Sequence, residues 1–239
     1  MKIACWSGPR NLSTAMMYAF ENRADFTALD EPFYAAYLAR TGKRHPMDDV
    51  ILTAQPQDPD TVIDALTGPI PGGARHVWHK HMAQHMLPGI RRQWIGGMTN
   101  VFLIRHPARV VASFSARFEN PELEDIGFVQ QAELHDLAAA EGDSPVVIDA
   151  TDIRANPEGL LRALCEAIGL DWDPAVLSWP AGARAIDGVW APHWYDAVHR
   201  STGFAGAEGG LPHLDGRAEA LADAAMPYYE HLHARRLKI

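Results

Sequence analysis

Five short apolar runs punctuate the chain, each ending where a turn residue or a charge interrupts it. KIACW (2–6) stops at Ser7-Gly8-Pro9, and LSTAMMYAF follows with helical spacing, so the chain opens as strand, tight loop and helix. A second strand is expected over 26–31, ending at Glu31 because Pro32 cannot continue a central strand. HVWHKH (76–81), NVFLI (100–104) and PVVI (145–148) predict the third, fourth and fifth. Runs that are apolar at successive positions belong to strands buried on both faces. Helical patterns lie between them: MAQHML (82–87), ARVVASFSARF behind Pro107, and a stretch opened by Asn156-Pro157-Glu158. In that last stretch Leu160, Leu161, Leu164, Ala167 and Ile168 share one face until Gly169. A terminal helix is expected over about 216–236. Strands alternating with helices imply an α/β fold of three layers, a central parallel sheet of about five strands flanked by helices.

Two segments lack such patterning. Thr41 to Gly73 is rich in Pro, Asp and Gly, with a short helix near 60–66, and predicts a surface excursion that helps cover a substrate. From Trp172 the chain turns aromatic, Gly-rich and aperiodic, which predicts a less regular cap over the sheet edge within a single domain spanning 1–239. Hydrophobic residues at 47% and charged residues at 21% are ordinary globular usage and exclude a disordered or disulfide-scaffold chain. No apolar run approaches the roughly 18 residues of a spanning helix, so neither a membrane partner nor a location other than the cytoplasm is expected. Thirty acidic against 21 basic residues, a net charge of −9, argue against nucleic acid as a partner. A polyanionic ligand must then be met by arginines placed locally. Cys5 and Cys165 sit in apolar contexts and read as buried reduced thiols, neither a nucleophile nor a metal ligand. A homo-oligomer is left open.

The placed arginines are found at two strand ends. Gly8-Pro9-Arg10-Asn11-Leu12-Ser13-Thr14 follows the first strand and opens a helix, where free backbone N–H groups and the helix dipole favour a phosphate. It is not the G-x-x-x-x-G-K-[ST] loop of nucleotide triphosphatases, because counting from Gly8, Ser13 replaces the second Gly and Thr14 the Lys. Arg105 ends the fourth strand, with Pro107 opening the next helix and Ser113 eight residues on. Ligands in open α/β sheets bind outside those strand ends.

Together these segments resemble the sulfotransferase family, which uses 3'-phosphoadenosine 5'-phosphosulfate (PAPS) on a P-loop NTPase-like fold. Pro9 to Thr14 resembles the family's loop for the 5'-phosphosulfate, and Arg105, Pro107 and Ser113 match its 3'-phosphate motif. VVIDATDIRANPEGLLRALCEAIGL resembles a further family segment, and HVWHKHMAQHMLP resembles the Lys-x-His-Leu-Pro segment, which puts His81 on the catalytic histidine. Resemblance covers roughly residues 1–170 and implies a transferase that moves a sulfuryl group from PAPS to a hydroxyl or amine of a small-molecule acceptor, with no metal. It also implies that Arg10 neutralises the leaving 5'-phosphate while Ser13 and Thr14 hydrogen-bond it. The chain departs from the family at Leu12, where Gly is usual, at Asn11, which replaces a common Ser, and at His79, where cytosolic members carry Lys. It also lacks an Arg-Lys-Gly triplet, for which Arg184 and Arg200 are candidate substitutes.

Two residues are candidates for the base. His81 ends the third strand and has an ordinary pKa near 6.5; Glu31 ends the second, and its position resembles that of the catalytic carboxylate in several bacterial and Golgi-type members. His76, His79, His81 and His85 also invite a metal reading, weakened by the absence of Cys or carboxylate at ligand spacing. Two alternatives stand beside the sulfotransferase: a small-molecule kinase on the same fold, disfavoured by the missing Walker lysine, and a non-catalytic nucleotide-binding module, which Leu12 makes credible.

Overall fold

The computed structural model describes residues 1–142 and 144–239. Strand β1 (Lys2–Ser7) leads through the loop 8–12 into α1 (Ser13–Glu21), and β2 (Phe26–Asp30) is followed by α2 (Tyr34–Thr41), α3 (Asp48–Ala54) and α4 (Pro59–Thr67). After β3 (His76–Met82), β4 (Thr99–Ile104) leads into α5 (Pro107–Ser115) and α6 (Phe128–Ala140). β5 (Val146–Asp149) leads into α7 (Ala150–Ala155) and α8 (Pro157–Ala167). Two single turns, α9 (Ala191–Trp194) and α10 (Asp196–His199), precede the terminal α11 (Gly216–His233).

The strands form one parallel sheet in the order β2-β3-β1-β4-β5. Its two faces explain why the strands are apolar at successive positions. Ile3, Cys5, Trp78, Val101 and Ile148 face α1 and α8, with the Phe20 ring stacked on Trp78 at 4.1 Å. Ala4, Trp6, Phe102, Ile104 and Val147 face α5, α6 and α11. The fold is therefore the expected three-layer α/β arrangement. β1 lies between β3 and β4, whose crossovers leave in opposite directions, and ligands of open parallel sheets bind at the strand ends beside such a reversal.

Four local expectations change. MAQHML is a 3-10 turn over Ala83–His85, because Met82 still belongs to β3 and Pro88 disfavours a helical residue before it. The excursion 41–73 holds two helices, α3 and α4, not one. Sequence pattern passed over α6 because Gln131 and His135 lie on its buried face and break the apolar period. The terminal helix stops at His233, since Arg236 bridges Val147 and the Leu237 N–H donates to the Val147 carbonyl at 2.8 Å, laying the chain end beside β5. Both cysteines are free and buried, and burial pushes the Cys165 thiol up to about 11. Among the described residues no helix is long and apolar enough to cross a membrane.

Candidate active site

A cleft of about 360 Å³ opens at the C-terminal edge of the sheet. Pro9, Arg10, Asn11, Leu12, Ser13 and Thr14 line it from the β1 loop, Arg105 and Ser113 from β4 and α5, and Glu31 from the end of β2. The structure thus gathers nine of the expected site residues from four segments. Gly8 is not on the cleft wall. A Cβ there would meet the Ile126 carbonyl oxygen at 2.4 Å, so its glycine serves a close backbone approach.

The loop is held open by polar ties to β4. Asn11 Nδ2 donates to the Leu103 carbonyl at 3.2 Å, Arg105 Nη1 donates to the Arg10 carbonyl at 2.7 Å, and Arg10 Nε donates to Ser113 Oγ at 2.9 Å. Leu12, the N-cap of α1, makes no side-chain cap, so the first N–H groups of the helix open on the cleft without a side-chain partner. Burial, then the charges of Arg117 and Arg105, pull the Arg10 pKa below its ordinary value, the electrostatic sign of a place short of an anion. Of the described non-glycine residues with positive φ, Arg10 (62°), Leu12 (71°) and Glu31 (39°) all line the cleft. Left-handed backbone at side-chain-bearing residues costs about 1–3 kcal/mol each and collects at functional sites.

At the other end β3 supplies a residue that sequence reasoning missed. Lys80 is buried, and its Nζ donates to Asp30 Oδ1 at 2.9 Å, to Tyr195 Oη at 2.7 Å and to Glu31 Oε1. Tyr195 donates in turn to Asp30, and the Gly188 N–H donates to Asp30 Oδ2 at 3.0 Å. Asp30 is thus spent on internal partners, while Glu31 lines the cleft. Burial raises the Glu31 pKa, Lys80 opposes this, and the nearby Asp30 adds to the rise, leaving it above its ordinary value. Burial acts to lower the Lys80 pKa, but Asp30 and Glu31 more than offset it, so the amine stays charged. A lone Lys in a buried strand is the signal that could have found this group, since such a charge requires a carboxylate partner.

His81 does not reach the cleft. Successive strand residues point to opposite faces, and the register that pairs Cys5 with Lys80 pairs Trp6 with His81. Its ring stacks on Trp6 at 4.3 Å beside Phe33 and Trp94, both nitrogens are buried without partners, and burial drives its pKa well below 6.5. The histidine is a buried core residue off the cleft wall, whereas Glu31, the other candidate, lines the cleft. The other histidines separate as well: His79 is buried with a pKa lowered to about 4, and His85 stacks between Tyr34 and Tyr37. His76, His79, His81 and His85 do not converge as a ligand set. His135, Asp136 and His231 do lie within ligand reach of one another, but away from the cleft wall.

Arg184 and Arg200 do not complete the Arg105 site either. Arg184 pairs with Glu21 at 2.7 Å and Arg200 with Asp196 at 2.6 Å. Arg109 and Arg154 stand beside Arg105 instead, joined to it through Glu208. The aperiodic C-terminal third walls the cleft with Trp194, Tyr195, Val198 and Phe204, more than it caps the sheet.

The chain is thus a parallel α/β fold in which an uncapped helix start and arginines stand at strand ends. A family model described as a sulfotransferase domain matches residues 1–236, and the chain belongs to that family. The solved sulfotransferase from Alicyclobacillus acidocaldarius superposes with a TM-score of 0.58 over 99% of this chain and 96% of that one, at 12% identity. The sulfotransferase domain from the curacin biosynthetic pathway superposes at 0.52 over 94% and 96%, also at 12% identity. At such identity both speak for the fold alone. Two Arabidopsis thaliana proteins named branched-chain-amino-acid aminotransferase-like protein 1 and 2 are 34% identical over 203 residues, 84% of this chain and 36% of theirs. The chain therefore spans about a third of the length of these relatives.

Proposed function

We propose that this chain is a PAPS-dependent sulfotransferase acting on a hydroxyl or amine of a small-molecule acceptor. The observation that carries the reading is the meeting, on one cleft, of the uncapped α1 start, the Arg10–Ser113 and Arg105 cations, and the Glu31–Lys80 pair. The Nε of Arg105 is buried without a partner, a donor free for an anion, which fits a nucleotide phosphate there. When bound, the nucleotide supplies the sulfuryl group and a phosphate to leave with. Arg10 and the Ser13 and Thr14 hydroxyls hold phosphate charge at the helix start. Glu31 takes the acceptor proton at its carboxylate, while Lys80 keeps that carboxylate ionised and fixed in place. Tyr34, Tyr37, Phe114, Phe118 and Trp194 suit an acceptor with an apolar body.

A thermal-shift panel tests the donor. 3'-Phosphoadenosine 5'-phosphate should raise the unfolding temperature with or without Mg²⁺, and more than ATP, ADP or AMP, because a ligand selective for the folded state stabilises it by mass action. A larger shift with Mg²⁺-ATP would move the reading to phosphoryl transfer, and no shift with any nucleotide would remove the donor assignment.

A further inference from the structure

The segment after the cleft-lining Phe204 carries an anion of its own into the arginines. The Glu208 side chain is 1% exposed, and its two oxygens meet three guanidinium groups and one hydroxyl. Oε1 accepts from Arg105 Nη2 and from Arg154 Nη1 at 2.8 Å; Oε2 accepts from Thr151 Oγ1 at 3.2 Å and forms an ion pair with Arg109 Nε at 3.0 Å. Arg154 Nε also donates to the Gly206 carbonyl at 2.9 Å, and Arg109 Nη2 donates to the Gly209 carbonyl. Residues 206–210 (GAEGG) are thus laid across three guanidinium groups by one carboxylate and two carbonyls, with glycines on both sides of the glutamate.

Three arginines exceed what one carboxylate needs. Two oxygens and a single charge face three fixed positive charges, and the buried Nε of Arg105 still has no partner. A phosphate dianion brings another oxygen and more charge, and guanidinium forks suit its geometry. Burial acts to raise the Glu208 pKa, and Arg105, Arg109 and Arg154 outweigh it, so the carboxylate stays ionised as an internal counter-anion.

We propose that Arg105, Arg109 and Arg154 form a single phosphate site whose resident occupant is the Glu208 carboxylate, and that the 3'-phosphate of the nucleotide displaces it and lifts the 206–210 strap. This rests on the nucleotide reading above. It assigns Arg109 and Arg154 the cationic role for which the sequence offers no Arg-Lys-Gly triplet. It also makes Glu208 a gate, since a strap closed nine-tenths of the time weakens apparent affinity about tenfold.

The test is calorimetry on the whole chain with 3'-phosphoadenosine 5'-phosphate and, as a ligand lacking the 3'-phosphate, AMP. Glu208→Gln should bind the bisphosphate about tenfold more tightly than the parent, with AMP affinity unchanged, and adding Arg154→Ala should remove that gain. A second measurement needs no variant: mapped cleavage by a glutamate-specific protease at the 208–209 bond should accelerate when the parent chain is given the bisphosphate, because the buried carboxylate is then free. If the parent binds the bisphosphate but Glu208→Gln binds it no tighter, the gate is wrong and the nucleotide reading survives. Should Glu208→Gln not fold, unchanged cleavage of the liganded parent overturns the gate by itself. Failure of parent and variant alike to bind the bisphosphate overturns the nucleotide reading and the gate together.

Discussion

Beside the ends of β4 and β5, Arg105, Arg109 and Arg154 converge on a carboxylate borrowed from a distant loop, whereas where β2 and β3 end, the single Lys80 amine faces the paired carboxylates Asp30 and Glu31. The first end has cations to spare and so suits an arriving anion. The second has a carboxylate to spare, held in a dry place by a buried amine, and so suits the handling of a proton. The Lys80 amine is held by Asp30 and Glu31, and Arg105, Arg109 and Arg154 are held by Glu208.

The largest expected effect breaks the proton-handling end alone. Glu31→Gln should lower kcat by about 10²–10⁴ while leaving affinity for 3'-phosphoadenosine 5'-phosphate intact, the range general-base loss usually produces. Because burial raises the Glu31 pKa, the acidic limb of the parent rate profile should lie above the ordinary glutamate value of about 4.3 and should vanish in the variant. His81→Phe keeps an aromatic ring against Trp6 and should retain near-parental turnover. If Glu31→Gln keeps its rate and its pH limb, the base lies elsewhere, with His45, His85 and Asp125 the other histidines and carboxylates on the cleft.

Removing the amine tests how the carboxylates are tolerated. Lys80→Met should cost about 3–5 kcal/mol in urea unfolding at neutral pH, since breaking a buried ion pair strands its partners. Glu31 would then face the Asp30 carboxylate without a cation, which raises its folded-state pKa further. A carboxylate with a raised folded pKa contributes stability that is fully present below its unfolded pKa and is lost as pH rises through the folded one. The deficit of Lys80→Met should therefore shrink as the pH is lowered toward 4. A deficit below about 1 kcal/mol at neutral pH would put the pair in the exposed class and contradict its burial.

The two ends also differ in how readable they were. Arg10 to Thr14 and Arg105 to Ser113 are contiguous, each spanning one strand end and one helix start, so their spacing in sequence carries their meeting in space. Glu31 and Lys80 meet only because β2 pairs with β3 in a particular register. His81, adjacent to Lys80, was the more attractive residue by resemblance and pKa. A one-residue step along a strand reverses the face, and only the pairing decides which of the two sees the cleft. Tyr195 and Glu208 lie in aperiodic, Gly-rich chain where no repeat indicates which side chain turns inward. β1, β4 and β5 were legible because they are buried on both faces and carry uninterrupted apolar runs.

The smallest effect probes the backbone of the phosphate end. Leu12 has φ 71° and ψ 7° at the N-cap of α1, where the family's usual glycine would rest without strain, and its side chain packs against the core beneath α1. Leu12→Gly relieves about 1–2 kcal/mol of left-handed strain but gives up part of a leucine's burial, commonly about 1.5–3 kcal/mol when complete. It also frees the unfolded chain by about 0.5–1 kcal/mol. These terms nearly cancel, so the net change should be within about 1 kcal/mol. Leu12→Ala separates them, because it loses the same packing while keeping the strain. Glycine should then be the more stable of the two by about 1 kcal/mol, the reverse of their order in ordinary helical backbone. An alanine variant more stable than the glycine one in urea unfolding would show that the loop leaves the left-handed conformation without cost. The phosphate end would then owe its openness to the Asn11 and Arg105 hydrogen bonds alone.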